Sequence, residues 1–460
     1  MTADVAVACV PYYEHLGDHP TLLSLFDGSG GFPLAASMCG ITPIYASEIE
    51  PYPIAVTTSR FPNMRHIGDV SKIKGSQLDP VHIITFGSPC QDLSVAGKRA
   101  GLKHSANGDD ETTRSGLFME AVRIIKEMRR ATDGLYPRFA IWENVPGAFS
   151  SNKGEDFRVV LEELIKICEP GASVPSPGKG KWSYADAYVG DGWSLAYRTL
   201  DAQYWGVPQR RRRIYLVLDL RGECAHRVLF ERKGLRGHFE ESGWQRKGTA
   251  PDGQGCTATA NSQREGGCVA LDVVYSLQGN TIDRNARQNG SGICEGVSHT
   301  INAVDRHGVC YSLQGNMIGR ADKNGPQGDG INENVCFTVN TIDRHAVAYA
   351  INGKAETYHY IVRRITPTEC ARLQGFPDNW GHIIHKEDFT DEEYSFWLEV
   401  RNTHASINGK TTKEYTKQQM LTWYNKLHTD SAEYKMWGNG IALPTALYVM
   451  QGIADEIIHG

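Results

Sequence analysis

The chain reads as an α/β protein: a doubly wound, Rossmann-like, mostly parallel sheet with a second, β-rich unit after it. Three observations carry this reading. Apolar β-type runs alternate with segments of helical period from residue 21 to about 220. A glycine-rich turn follows the first run and leads into a helix. After Asp219 the pattern changes to short β-type runs among many turns, with an internal repeat.

Residues 22–26 form the first expected strand, and the helix over 34–38 follows its turn. Residues 43–46 are a second strand, with a helix near 54–61. Residues 83–86 and 139–142 are the third and fourth, with helical period over 117–128 between them, and 214–218 closes the series. Ligands are expected at the carboxyl ends of such strands. Residues 169–181, rich in Pro, Gly and Ser, read as a surface loop.

Farther on, Tyr-Ser-Leu-Gln-Gly-Asn at 275–280 recurs at 311–316. Thr300-Ile301-Asn302-Ala303-Val304-Asp305-Arg306-His307 recurs, with three changes, at 338–345. Spacings of this length suggest stacked β-units, either architectural or shaped to read a polymer. Residues 386–433 are polar and helical in pattern, and 434–458 return to an apolar helix.

With 53 acidic and 48 basic residues the net charge is −5, so any nucleic-acid partner needs a local basic surface rather than a basic molecule. Of the 48 glycines, 23 lie within 221–434. Eleven cysteines with no CxxC or CxxxC pair argue against a structural zinc site or a disulfide framework. No run approaches the ~18 apolar residues of a membrane helix. Residues 1–20 carry Asp4, Glu14 and Asp18 and no basic n-region, so a reducing, cytoplasmic location is expected.

Four motifs carry chemistry. Phe26-Asp27-Gly28-Ser29-Gly30-Gly31 lets the backbone approach a ligand at a helix N-terminus, and Glu48 ends the second strand where a carboxylate can hold ribose hydroxyls. A tight turn with a solvated glutamate would look the same. Gly87-Ser88-Pro89-Cys90-Gln91 places a cysteine at a strand end in a polar loop, where an inert core thiol is the plain alternative. Residues 97–115 follow as a candidate lid, with Lys98, Arg99, Lys103, His104 and Arg114. Trp142-Glu143-Asn144 places a carboxylate beside a tryptophan, where desolvation would let it hold a proton. In Gln209-Arg210-Arg211-Arg212-Arg213, alternate arginines share a face, so Arg211 and Arg213 can converge on Glu143 while Arg210 and Arg212 point elsewhere.

Together with Gly68-Asp69-Val70, Arg364-Ile365-Thr366-Pro367, Leu373-Gln374-Gly375-Phe376-Pro377 and Gly438-Asn439-Gly440, these motifs occur in an order that resembles bacterial and phage-type DNA (cytosine-5)-methyltransferases. Asp27 and Ser29 depart from that family's small and apolar residues, and 386–433 exceeds its minimum length.

The resemblance implies S-adenosylmethionine as cofactor, held by Phe26, Gly28, Ser29, Gly30, Gly31, Glu48, Ile49, Asp69, Val70, Gly87, Pro89 and Asn439. It makes Cys90 the nucleophile at cytosine C6, Glu143 the contact to N3 and the exocyclic amine, and Arg211 and Arg213 their positioning partners. Double-stranded DNA is the implied substrate, its target base flipped out. Gln91, Ser94, Lys98, Arg99, Arg114 and Gln209 are expected DNA contacts. The repeat pattern rather than the resemblance adds Arg306 and Arg344, each at an equivalent turn where it can meet a base edge or phosphate or only pair with its neighbouring Asp. A monomer is expected, with a cognate restriction endonuclease possible but not required. The implied division is a catalytic unit over 1–220, completed by 435–460, and a target-recognition unit over 221–434. An RNA (tRNA) cytosine methyltransferase, a silent DNA-binding protein on the same scaffold and another nucleotide binder are the alternatives.

Overall fold

The computed structural model describes residues 19–88, 116–177, 181–230 and 365–459, and between 231 and 364 the backbone of six short strands. Eight strands make one sheet: β1 (Thr21–Leu25), β2 (Thr42–Ser47), β3 (Arg65–His66), β4 (Ile83–Phe86), β5 (Phe139–Asn144), β6 (Ala185–Gly190), β7 (Trp193–Asp201) and β8 (Arg212–Asp219). Their order is β3-β2-β1-β4-β5-β8-β7-β6. The first five in this order pair in parallel, whereas β8 pairs antiparallel with both β5 and β7. The closing strand over 214–218 therefore runs against its neighbour, and β3, β6 and β7 add to the five strands expected. Chain order reverses between β1 and β4, so their carboxyl ends flank a crevice of the kind in which open α/β sheets bind ligands.

Alternate residues of each strand feed two cores. On one face Leu22, Ile83, Ile141 and Val217 pack beneath α1 (Gly31–Met38) and α2 (Pro51–Arg60). On the other, Leu23, Ile84, Ala140 and Trp142 pack beneath α3 (Leu117–Ala131) and α4 (Glu155–Ile165). The pattern on α3 is amphipathic: Phe118, Ala121, Val122, Ile125 and Met128 face the sheet. After β8 comes the short α5 (Ala225–Leu229).

In the span 231–364, Tyr275–Leu277 pairs antiparallel with Ile293–Glu295. Cys310–Leu313 lies in a second sheet with Ile331–Glu333, Ala346–Ile351 and His359–Arg364. Both Tyr-Ser-Leu repeats are thus strands. The repeats at 300–307 and 338–345 lie outside the described residues.

Residues on both sides of the division expected at 434 share one core. Ile365, Cys370, Phe376, Trp380, Met436 and Trp437 join the core under α1. They come from α6 (Pro367–Leu373), α9 (Asp430–Asn439) and the connections beside them. The polar segment over 386–433 folds as α7 (Asp391–Ile407) and α8 (Lys417–Tyr424), and buries Phe389, Trp397, Met420 and Tyr424 against Ile54 and Ala55 of α2. Threonine N-caps with reciprocal Glu or Gln partners start α6, α7 and α8, which fixes these boundaries locally. Finally α10 (Leu443–His459) lies along α1, with Ala446, Val449 and Ile453 fully buried. Among the described residues, no helix is long and apolar enough to cross a membrane.

Candidate active site

The glycine-rich turn leaves β1 through Phe26, whose φ of 58° is the left-handed conformation that non-glycine residues rarely adopt. Gly30 follows at φ 77°, where an added Cβ would sit 2.8 Å from Thr57. Gly28 N–H donates to Glu48 Oε2 at 2.8 Å. Ile49 and Glu50 N–H donate to Oε1 at 2.7 and 2.9 Å. Burial pushes the Glu48 carboxyl upward against these three donors. Glu48 thus stitches the end of β2 to the turn after β1.

Asp27, the departure noted in the sequence, is nearly buried and accepts from Ser24 Oγ at 2.7 Å. Burial pushes its pKa up to about 8, with the Ser24 bond opposing and the Glu48 charge adding to the rise. The unfolded chain ionises here near pH ~3.9. Stability from the neutral acid is therefore full below that pH and lost as pH rises toward about 8. An Asp27→Asn chain is expected to melt above wild type at pH 8, with the gain shrinking by pH 5. A constant difference across those pH values would show that Asp27 does not titrate with folding.

Beyond β2 and β3, a cavity of about 360 Å³ is lined by Glu48, Ile49, Gly68 and Asp69. Small-molecule sites commonly span ~300–1,000 Å³. Asp69 caps the turn that follows by accepting from Ser71 N–H at 2.9 Å, and Val70 is buried. The carboxylates of Glu48 and Asp69, beside Ile49, Ile54 and Ile67, suit a nucleoside, whose hydroxyls and amine donate while its base seeks apolar contact. Phe26, Gly28, Ser29, Gly30 and Gly31 do not line this cavity. Ser29 faces away from it: its carbonyl accepts from Trp380 Nε1 at 2.8 Å, and its hydroxyl packs against Gly440. Asn439 is exposed at the end of α9.

At the end of β4, an added Cβ on Gly87 would lie 3.2 Å from Glu143 Oε2, so glycine lets this strand end approach the carboxylate. Ser88 is pinned to β5: Asn144 Nδ2 donates to its carbonyl at 2.9 Å and Trp142 Nε1 to its hydroxyl at 3.3 Å. Pro89, Cys90, Gln91, Ser94, Lys98, Arg99 and Arg114 lie outside the described residues, as do Arg306 and Arg344.

Glu143 is 8 % exposed. Because β8 runs antiparallel to β5, its amino end meets the carboxyl end of β5, and Arg213 Nε comes to 3.0 Å from Glu143 Oε1. The N–H is not aimed squarely: Oε1 has no aligned donor among the described residues, so it retains acceptor capacity. Burial raises the Glu143 pKa, and Arg213 and then Arg211 oppose the rise.

Arg211 is 1 % exposed and reaches past Glu143 to the carbonyls of Gly438, at 3.1 Å, and Gly440. Burial, then Arg213, push its pKa down to about 9 against the pull of Glu143. Arg210 and Arg212 are exposed. Gln209, expected at DNA, shares the inward face of Arg211 and is wholly buried (0 %), both amide atoms lacking partners among the described residues. It cannot meet a groove in this conformation.

The structure therefore brings together Gly87, Glu143, Arg211 and Arg213, and separately Glu48, Ile49 and Asp69. The supports of these groups went unread in the sequence. Trp142 and Asn144 flank Glu143 in its motif, and the period-2 rule could have set them on the face opposite to it. The Arg211 link to Gly438 and Gly440 has no sequence signal beyond the glycines themselves.

A Glu48→Gln chain should bind an adenosine-type cofactor more weakly by on the order of 1.5–3 kcal/mol, because its charge-assisted bonds are gone. Calorimetry without DNA checks this. Unchanged affinity would mean the ribose is held elsewhere.

A family model described as C-5 cytosine-specific DNA methylase matches residues 21–168 and 186–394. An Escherichia phage P1 protein named a DNA N-6-adenine-methyltransferase is 27% identical over 94% of this chain and 60% of its own length. Type II methyltransferase M.MspI of Moraxella sp is 28% identical over 43% of this chain and 38% of its own. The chain thus spans about 40–60% of these relatives. The solved S. pombe Dnmt2 methyltransferase overlays with a TM-score of 0.47 at 14% identity, over 96% of this chain and 100% of that one.

Proposed function

Because the chain belongs to the C-5 cytosine-specific DNA methylase family, we propose that it methylates C5 of a cytosine within a specific sequence of duplex DNA. The observation that carries this reading is the Glu143–Arg213 pair, desolvated and under-bonded at the strand ends beside the chain that leads into Cys90.

Cytosine C5 is a weak nucleophile until a group adds at C6. The Cys90 thiolate makes that bond. Electron density then moves toward N3, where Glu143, its proton affinity raised by burial, supplies a proton and holds the exocyclic amine. Arg213 keeps the carboxylate in place. Arg211 fixes residues 438–440 beneath it. S-adenosylmethionine supplies the methyl group when bound, with Glu48, Ile49 and Asp69 holding its nucleoside half. A base then removes the C5 proton, the electron pair of that bond expels Cys90 as thiolate, and the N3 proton returns to Glu143, restoring the aromatic ring and the acid. The target must leave the duplex stack to reach Glu143, and residues 91–115 are the candidate lid.

The substrate is double-stranded DNA, a monomer suffices for the chemistry, and any cognate endonuclease is separate from it. The second unit, within 221–364, is the proposed target reader, with Arg306 and Arg344 as candidate base or phosphate contacts. The name of the phage P1 relative favours a second reading, methylation of adenine N6.

Duplexes carrying 5-fluorocytosine are expected to trap a denaturant-stable complex, because fluorine cannot leave as a proton. Nucleosides from ordinary duplexes methylated with labelled cofactor should yield 5-methylcytosine. Label in N6-methyladenine, with no trapped complex, would establish the second reading, and transfer to tRNA alone would exclude duplex DNA as substrate.

A further inference from the structure

We propose that α7, from the polar segment over 386–433, forms a wall of the cofactor site and sets affinity for the nucleoside half of S-adenosylmethionine. This rests on the reading of the Glu48–Asp69 cavity given above.

Phe396, Glu399, Val400 and Thr403 line the same cavity as Glu48, Ile49 and Asp69. Their spacing of three, four and seven residues puts them on one face of α7. The match to the family model ends at residue 394, just before this face.

The helix is anchored there rather than resting on the surface. Trp397 is 2 % exposed and packs with Ile54 and Ala55 of α2. Glu50, two residues from Glu48, pairs with Lys435 Nζ of α9 at 2.8 Å and lies 3.6 Å from His404 Nε2 of α7. The wall suits a planar base. The Phe396 ring packs against His66 at 6.3 Å between centroids. Thr57 Oγ1 donates to the Pro53 carbonyl at 3.0 Å, so His66 Nε2–H donates in turn to Thr57 Oγ1 at 3.0 Å. Burial pushes the His66 pKa down to about 4. At neutral pH both rings are therefore uncharged. Val400 and Ile54 extend the apolar surface, while the carboxylates of Glu48 and Asp69 stand ready for hydroxyl and amine donors.

The test uses the full chain without DNA and titrates S-adenosylmethionine and 5′-methylthioadenosine, which lacks the amino-acid half. Phe396→Ala should weaken both by on the order of tenfold, because the ring no longer shields the base from water. Phe396→Leu should recover part of that affinity, and Thr403→Val should shift both ligands alike. If Phe396→Ala does not fold, Phe396→Leu and Thr403→Val carry the test. Unchanged affinities in all folded α7 variants, with Glu48→Gln still weakened, would overturn the inference and leave the cofactor site in place. Unchanged affinities in Glu48→Gln as well would remove the cofactor reading itself. A loss for S-adenosylmethionine alone, with 5′-methylthioadenosine unaffected, would put α7 at the wrong half of the ligand and also overturn it.

Discussion

A Cys90→Ser chain is expected to lose methyl transfer by at least about a thousandfold while binding S-adenosylmethionine and duplex DNA almost as wild type does. The thiol ionises several pH units below an alcohol and is intrinsically the stronger nucleophile, and only the ionised form adds readily to C6. The substitution is nearly isosteric. The chain leading to it is held independently, by Asn144 and Trp142 on Ser88. A lost rate therefore reports chemistry rather than folding. Transfer of tritiated methyl groups under single-turnover conditions, beside calorimetric binding, separates the two. A rate within tenfold of wild type would reassign the nucleophile.

Glu143→Gln is the second large effect, a loss of about 10²–10⁴-fold in the transfer step. Glutamine preserves volume and one acceptor oxygen but cannot carry the proton that burial favours on Glu143. It also leaves Arg213 without its carboxylate at 3.0 Å. The informative readout is the pH–rate profile. In wild type one limb belongs to Glu143, whose raised pKa keeps the protonated form populated to higher pH than an ordinary glutamate. That limb should vanish in the variant, leaving a lower, flatter curve. A reduced rate with the limb intact would make Glu143 a positioning residue rather than the proton carrier. Arg213→Ala should raise the Glu143 pKa further and move the same limb to higher pH.

The parallel half of the sheet was legible because buried strands announce themselves as apolar runs at 22–26, 83–86 and 139–142. Of the strands not anticipated, β3 is only two residues long. Residues 185–190 of β6 are mostly exposed, so no apolar run marks them. Yet Asp191-Gly192, with Gly192 at φ 72°, joins β6 to β7 and is a strong hairpin signal in its own right. The direction of β8 could not be read, because a fully buried strand looks alike either way. That direction is what delivers Arg213 to Glu143. Period-2 reasoning did place Arg211 and Arg213 on one face. It could not reveal that Gln209 on the same face is sealed from solvent, since burial there depends on elements distant in sequence. Likewise, the helical pattern over 386–433 was legible, but the packing of its helices on α2 was not.

The packing of Gly440 and Ile441 against the glycine-rich turn has a consequence for the order in which the protein becomes functional. An added Cβ on Gly31 would lie 2.5 Å from Ile441, and one on Gly440 2.8 Å from Ser29 Oγ, so these segments are fitted to one another with no slack. They are about four hundred residues apart. At synthesis rates of about 5–20 residues per second, the turn waits tens of seconds on the ribosome for its partner. The neighbouring strand pairs can form as they emerge, but Arg211 meets its acceptors at 438 and 440 only after more than two hundred further residues have been made. A nascent chain halted before those residues would lack both the Arg211 acceptors and the core residues Ala446, Val449 and Ile453 that cover this face of the sheet. Emergence of residues 438–441 is thus the step that completes this centre.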